Sequence, residues 1–236
     1  MTRLVCAAAA VLVLAVPGVA ACARNSAGTA VRVEASTSTP TTSVTPTSAS
    51  PTTKVTDEPE SSQPGVVETT KVSVPPNADV CRQEQPGQTA VATVADPAAP
   101  KITVRVPPGW SVTPGTGDVG ALLSGPDDMV GKVTIAATPL DPAAAFTRYG
   151  DDLMARYPIS TLSLLPGDFC GFSGQKLIGT WAQDPDESLE YHDRIAHIWT
   201  NSGNYLVAVH VEAPSGVAGF DEAASVLTDK FSIVIP

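Results

Sequence analysis

At 236 residues the chain has room for one or two domains, and its 14 Lys and Arg against 24 Asp and Glu give a formal net charge of −10. With a pI near 4.6 it is excluded as a partner for nucleic acid or other polyanions, and anionic lipid will not draw it in by charge. Any attachment to a membrane must come from another source.

Residues 1–21 read as a signal peptide. Arg3 is a short basic start, residues 4–16 are an almost unbroken apolar run, and Pro17-Gly18 ends it before Val19-Ala20-Ala21-Cys22. Basic start, apolar middle and small residues at the cut are the marks of a secretory signal. The run falls short of the roughly 20 residues that a bilayer span needs. Val-Ala-Ala-Cys resembles the bacterial lipobox. The resemblance implies cleavage just before Cys22, a diacylglyceryl group on its sulfur, and acyl chains such as palmitate that anchor the protein at the cell membrane, with the folded part on the extracytoplasmic side. Each buried methylene contributes roughly 0.8 kcal/mol, and more than one chain gives lasting attachment. An ordinary secretory signal with a chance cysteine, and an uncleaved anchor, are the competing readings.

Residues 22–79 read as a disordered stalk. Residues 36–54 are nearly all Ser, Thr, Pro and Ala, without apolar periodicity or aromatics. Such a segment buries too little apolar surface to offset the entropy of ordering it. As a flexible coil it would span roughly 40 Å, and proline would lengthen that. Ser and Thr between prolines are either O-glycosylation substrates or a bare linker. A short strand over 69–74 is conceivable, but Pro75-Pro76 follows at once.

Residues 80–236 read as one globular α+β domain. Strands are predicted over 88–94, over 102–106 where Ile102, Val104 and Val106 alternate with Thr103 and Arg105, and over 121–123 and 132–138. Pro107-Pro108-Gly109 makes a turn that lets Trp110 fold back. The spacing predicts a helix over 141–157, with Asp141 as N-cap, Pro142 in the first turn, and Phe146, Tyr149, Leu153 and Tyr157 on one face. Pro158 ends it. Strands over 160–165, 175–182, 189–199 and 205–212 follow, the last two joined by the Asn201-Ser202-Gly203-Asn204 turn. A second helix over 215–230 presents Phe220, Ala223, Ala224, Leu227 and Phe231, and 231–235 adds a final edge strand. The expected fold is an antiparallel sheet covered by two amphipathic helices.

Of four cysteines, Cys6 lies in the signal and Cys22 is taken by lipid, which leaves Cys81 and Cys170. An even pair in an oxidising compartment makes a disulfide the default. A redox or metal-binding pair is the alternative, without a C-x-x-C spacing or a histidine cluster to support it.

Val106-Pro107-Pro108-Gly109-Trp110, the Asp141-Pro142 helix start, Gly167-Asp168-Phe169-Cys170-Gly171-Phe172 ahead of Ile178-Gly179-Thr180-Trp181, and Tyr205-Leu206-Val207 resemble the mycobacterial LpqN/LpqT family of lipoproteins, over about residues 100–230. The resemblance implies a Mog1/PsbP-like α/β sandwich in the cell envelope. It implies no established activity and supplies no catalytic residues. Residues 80–100 depart from the family pattern, which has a short helix there, and the Cys81/Cys170 pair is a variation.

Motifs that carry chemistry are few. Ser173-Gly174-Gln175-Lys176 matches the S-x-x-K of acyl-enzymes, which needs both residues one turn apart on a helix. Here it leads into a strand, which sends the two side chains to opposite faces. Gly171-Phe172-Ser173-Gly174 misses the G-x-S-x-G elbow by one position. His192 and His197, five apart on one strand, face opposite sides. His210 could neighbour one of them across the hairpin, with Glu190, Asp193 or Glu212 completing a site. Asp127-Asp128 and Asp151-Asp152 read as solvated turn and helix charges. Trp110, Trp181, Trp199, Phe146, Tyr149 and Phe220 either fill the core or line an apolar cavity for a lipid chain. No catalytic residue, metal or cofactor is expected. The expected function is a non-enzymatic envelope lipoprotein, a binding or accessory module whose partner is an envelope protein or lipid. A lipid or glycolipid carrier is the second reading.

Overall fold

The computed structural model describes residues 63–84 and 86–236. The expected signal peptide, Cys22 and the first part of the expected stalk lie outside them.

Among the described residues, eleven strands and two helices follow in chain order: β1 (Ala78–Cys81), β2 (Thr89–Ala92), β3 (Lys101–Arg105), β4 (Ser111–Pro114), β5 (Val119–Ser124), β6 (Val130–Ala137), α1 (Pro142–Met154), β7 (Ile159–Pro166), β8 (Ser173–Ala182), β9 (Ser188–Trp199), β10 (Asn204–Pro214), α2 (Phe220–Thr228) and β11 (Ser232–Ile235). They build two antiparallel sheets, a small one in the order β1-β11-β3-β2 and a large one in the order β4-β5-β6-β10-β9-β8-β7. This corrects the expectation of one sheet under two helices. The physical cause lies after β3. Pro107 and Pro108 carry no backbone donor, and Gly109 takes a left-handed φ of 82°, so the chain turns away and β4 starts a second sheet. β3 meanwhile has β2 on one side and β11 on the other. The C-terminal strand is thus interior to the small sheet and not an edge, with Ile233 and Ile235 buried.

Two cores result. The first lies between the sheets, where Ile102 and Val104 of β3 meet Val133, Ile135, Val207 and Val209, and α2 closes it with Phe220, Ala224 and Leu227. The second lies on the opposite face of the large sheet, where Phe146 and Leu153 of α1 pack on Leu177, Trp181, Tyr191 and Ile195. At about 25 cal/mol per Å² of apolar surface, each large side chain so buried contributes on the order of 1.5–3 kcal/mol.

Asp141 Oδ1 accepts from the Ala144 amide at 2.9 Å and Pro142 sits in the first turn, so α1 begins where its cap signal places it. It ends at Met154, three residues before the expected stop. Tyr157 precedes Pro158 and is disfavoured in a helical conformation, so residues 155–157 leave the helix and turn towards the sheet. α2 is also shorter than the predicted 215–230. It starts after Gly219 at φ 80°, and Asp221 and Glu222 in its first turn suit the positive end of the helix dipole.

Candidate functional site

The face of the large sheet under α1 carries a buried ionic cluster. β9 and β10 are long strands paired in regular register, so alternate residues share a face. Asp193 stands opposite His210, His210 opposite Lys132, and Tyr191 opposite Glu212. His210 Nδ1 lies 2.6 Å from Asp193 Oδ1 and Nε2 lies 3.1 Å from Glu212 Oε2. The Asp193 side chain is wholly buried and that of His210 is 4% exposed.

Burial alone pulls the His210 pKa down. The Asp193 charge and hydrogen bond and the Glu212 hydrogen bond more than offset this, and the imidazole ends above its ordinary value. The two carboxylates therefore favour the protonated form of the ring that lies between them. Glu212 is correspondingly lowered, first by its bond from His210, against its own burial. Lys132 is lowered by burial and by Arg156. From α1, Tyr149 faces the cluster, and its phenol is pushed well up by burial and by Asp193. Tyr191 is raised to about 12 by the same two causes in the same order, and its hydroxyl donates to the Thr161 carbonyl at 2.9 Å. That approach needs Gly179 beneath it, because a Cβ there would overlap both the Thr161 oxygen and the Tyr191 hydroxyl.

Trp181 closes the cluster. Its ring stacks on Tyr191 at 4.3 Å between centroids, lies 5.6 Å from His210, and carries the Arg156 guanidinium 4.6 Å above it. Tyr157 joins at 5.4 Å. The shortened end of α1 is what brings Arg156 and Tyr157 here. Beside them is a solvent-open cleft of about 510 Å³, whose lining includes Tyr157, Trp181, Leu189 and Pro214, with Asp186 and Glu187 at its rim.

Residues 63–74, expected in the stalk, form a strap on this same face. Ser173 Oγ both accepts from the Val67 amide and donates to the Val67 carbonyl, each at 3.0 Å. Gln175 Nε2 donates to the Pro64 carbonyl at 2.8 Å, and the Gly174 amide donates to the Gly65 carbonyl at 2.9 Å. Val66 packs on the core under α1. The strap then passes the β9–β10 turn, where the Asn201 amide bonds both the N–H and the C=O of Val74, and Val74 packs on the other core. The expected border at 79/80 therefore falls inside a segment that the sheet already holds.

The remaining sequence candidates scatter. Ser173 and Lys176 lie on opposite faces, Ser173 on the strap and Lys176 within 3.9 Å of Asp229. His192 lies on the α2 face, 3.8 Å from Asp221, and His197 Nε2 lies 2.9 Å from the Leu140 carbonyl. His210 thus meets neither histidine; its partners are Asp193 and Glu212, two of the three carboxylates considered with it. Both of its nitrogens are engaged, and among the described residues no group of three or more His, Cys, Asp or Glu is placed to hold a metal. Glu190 instead accepts from the Gly216 amide. Asp127 and Asp128 sit in a turn at φ 52° and 59°, and Asp152 is an exposed helix partner of Arg148. Cys81 and Cys170 are joined in a disulfide that ties β1 to the β7–β8 loop.

Sequence reasoning missed Tyr149, Lys132 and Arg156 as parts of one cluster, and missed the strap. Strand period and the β9–β10 turn together could have set Asp193 beside His210. Nothing local signals which residues of α1 will overlie them.

No helix among the described residues is long and apolar enough to cross a membrane. No family model matches the chain, and no curated protein matches it. A solved structure described as LpqN, involved in cell envelope biogenesis of Mycobacterium tuberculosis, is similar to this chain at 18% identity over 62% of this chain and 91% of that one, with a TM-score of 0.49.

Proposed function

We propose that the protein is a non-enzymatic, lipid-anchored envelope module that binds a protein partner through the β7 edge of its large sheet. The observation that carries the reading is a concentration of exposed apolar side chains there: Met154 at the end of α1, Ile159, Leu164 and Leu165 on β7, and Ile178 on β8. Natural edge strands are blunted by charge, proline, bulges or brevity. β7 runs from Ile159 to Leu165 without one charge and ends only at Pro166, in a chain of net charge −10. The edge at the other end of that sheet, β4, is four residues long and includes Pro114. An uncharged edge of this length suits an extended, apolar segment of another envelope protein, added as a further strand.

The ionic cluster serves this reading as scaffold. Its charged groups neutralise one another beneath α1 and hold the helix on β8 and β9, next to the edge. A second reading, carriage of a lipid, draws on the open cleft beside Trp181, which is large enough for a small ligand.

Crosslinking in the intact envelope separates the two. A photo-crosslinker at Leu164 or at Ile178 should capture the same discrete protein band, and the band from position 178 should disappear with Leu164→Lys. Absence of any adduct at both positions, together with lipid retained in native mass spectrometry of the purified protein, would transfer the function to the cleft.

A further inference from the structure

The backbone of β7 sets what can pair with it. The strand lies last in the large sheet and pairs with β8 along its whole length without a register shift. Just past its end, the Gly167 amide donates to the Gly174 carbonyl. At Thr161 the carbonyl accepts from the Tyr191 hydroxyl and Oγ1 accepts from the Thr180 amide. Backbone groups along a strand point alternately to its two sides. The odd positions therefore face β8, and the N–H and C=O of Ser160, Leu162 and Leu164 face away from the sheet. Pro158 and Pro166 belong to the same even series, each four positions from Leu162. Proline has no N–H, so the outward row of donors starts after one and stops before the other.

That row is symmetric about Leu162, and a strand with such symmetry matches an antiparallel copy of itself. With Leu162 opposite Leu162, Ser160 of each copy meets Leu164 of the other, and proline meets proline where no donor is needed. Leu162 packs into the core under α1, so its odd neighbours lie on the other face. There Ile159 of one copy comes opposite Leu165 of the other, and Thr161 opposite Ser163. Apolar side chains meet apolar ones and hydroxyls meet hydroxyls.

The flanks are complementary in charge. Arg156 and Asp168 are both exposed, and each lies six positions from Leu162, on opposite sides. Antiparallel pairing carries the guanidinium end of each copy to the carboxylate end of the other, twice by symmetry. Between those ends β7 has no charge to repel a second chain of net charge −10.

We propose that the partner at this edge is a second copy of the chain, joined β7 to β7 about a two-fold axis at Leu162, so that the two large sheets continue as one.

The proposal rests on the β7-edge reading, and register-specific cross-linking of the full chain in membranes tests the two apart. Two differently tagged copies are co-expressed, one carrying Thr161→Cys and the other Ser163→Cys, and then oxidised. In this register the two positions face each other with Cα atoms roughly 4.5 Å apart, within reach of a disulfide. Like positions lie on a diagonal of roughly 7–8 Å, beyond that reach. The mixed pair should therefore give at least about fivefold more cross-linked dimer than either like pair. Cys81 and Cys170 are bonded to each other and do not compete. Leu164→Pro in both copies removes an outward amide and spares the β8 ladder, so it should abolish the product without changing the circular dichroism. Should that variant fail to fold, the comparison of pairs stands by itself. No dimer from the mixed pair, or equal product from all pairs, would overturn the proposal. The photo-crosslinker at Leu164 then decides the β7-edge reading separately: an adduct with a different protein keeps it, and no adduct removes it as well.

Discussion

His210 is the residue on which the α1 face depends most. Its ring is faced by Asp193 on β9 and Glu212 on its own strand, by Lys132 opposite it on β6, by Tyr149 from α1, by Arg156 past the helix end, and by the Trp181 and Tyr191 rings. His210→Ala would leave the wholly buried Asp193 carboxylate without its counter-charge. Loss of one partner of a buried pair costs about 3–5 kcal/mol, so chemical denaturation of that variant should show a midpoint lowered accordingly. The sign of the pH dependence follows from the two shifts. The His210 pKa is raised above 6.5, so its stabilisation is full below that value and is lost as pH rises through the folded-state pKa. The Glu212 pKa is lowered below 4.5, so its contribution is present above that value and is lost as pH falls through the folded-state pKa. Thermal melts should therefore decline on both sides of mildly acid pH, and the alkaline decline should be absent from His210→Gln. A wild-type melting temperature that climbs steadily from pH 6 to 9 would contradict the assignment.

Among the elements, α1 and the β9–β10 hairpin were readable because their signals are local. Asp141-Pro142, the apolar residues at 146, 149 and 153, and the Asn201–Asn204 turn each lie within a few residues of what they dictate. The second sheet was not, because its pairings are remote. β1 and β11 meet across most of the described chain, and four-residue strands such as β1 and β4 are too short for alternation to register. The strap was missed for the same reason: its four valines hint at most at a short strand before Pro75-Pro76, yet Ser173, Gln175 and Asn201, more than a hundred positions later, grip its backbone. Ser173→Ala removes both of its bonds to Val67 and leaves that amide and carbonyl unpaired in a half-buried setting, at a cost of about 1–3 kcal/mol. The sheet should survive, so hydrogen exchange should quicken at residues 63–74 while β9 and β10 keep their protection. Uniform loss of protection would mean that the strap is integral to the fold.

For the whole molecule, the Cys81–Cys170 bond closes a loop of sequence separation 89 and fastens β1, otherwise held by β11 alone, to the β7–β8 loop. In the chain-entropy account that constraint contributes up to about 4–5 kcal/mol, so reduced protein or Cys81→Ser should unfold at markedly lower denaturant. If Cys22 carries the lipid that Val19-Ala20-Ala21-Cys22 predicts, Cys22→Ser should leave the precursor uncut or free the protein from membranes in fractionation. Identical fractionation and N-terminal mass would refute the anchor. If position 22 is tethered, a pull on the domain does not enter at β1. Among the described residues it meets Gln63 first, with its bond to Thr147, and then the bonds from Gln175, Gly174 and Ser173. These would give way one after another, as a peeled strip does. About a dozen residues of slack would be released before tension reached the small sheet and its cystine, so the strap would act as a mechanical fuse between anchor and fold.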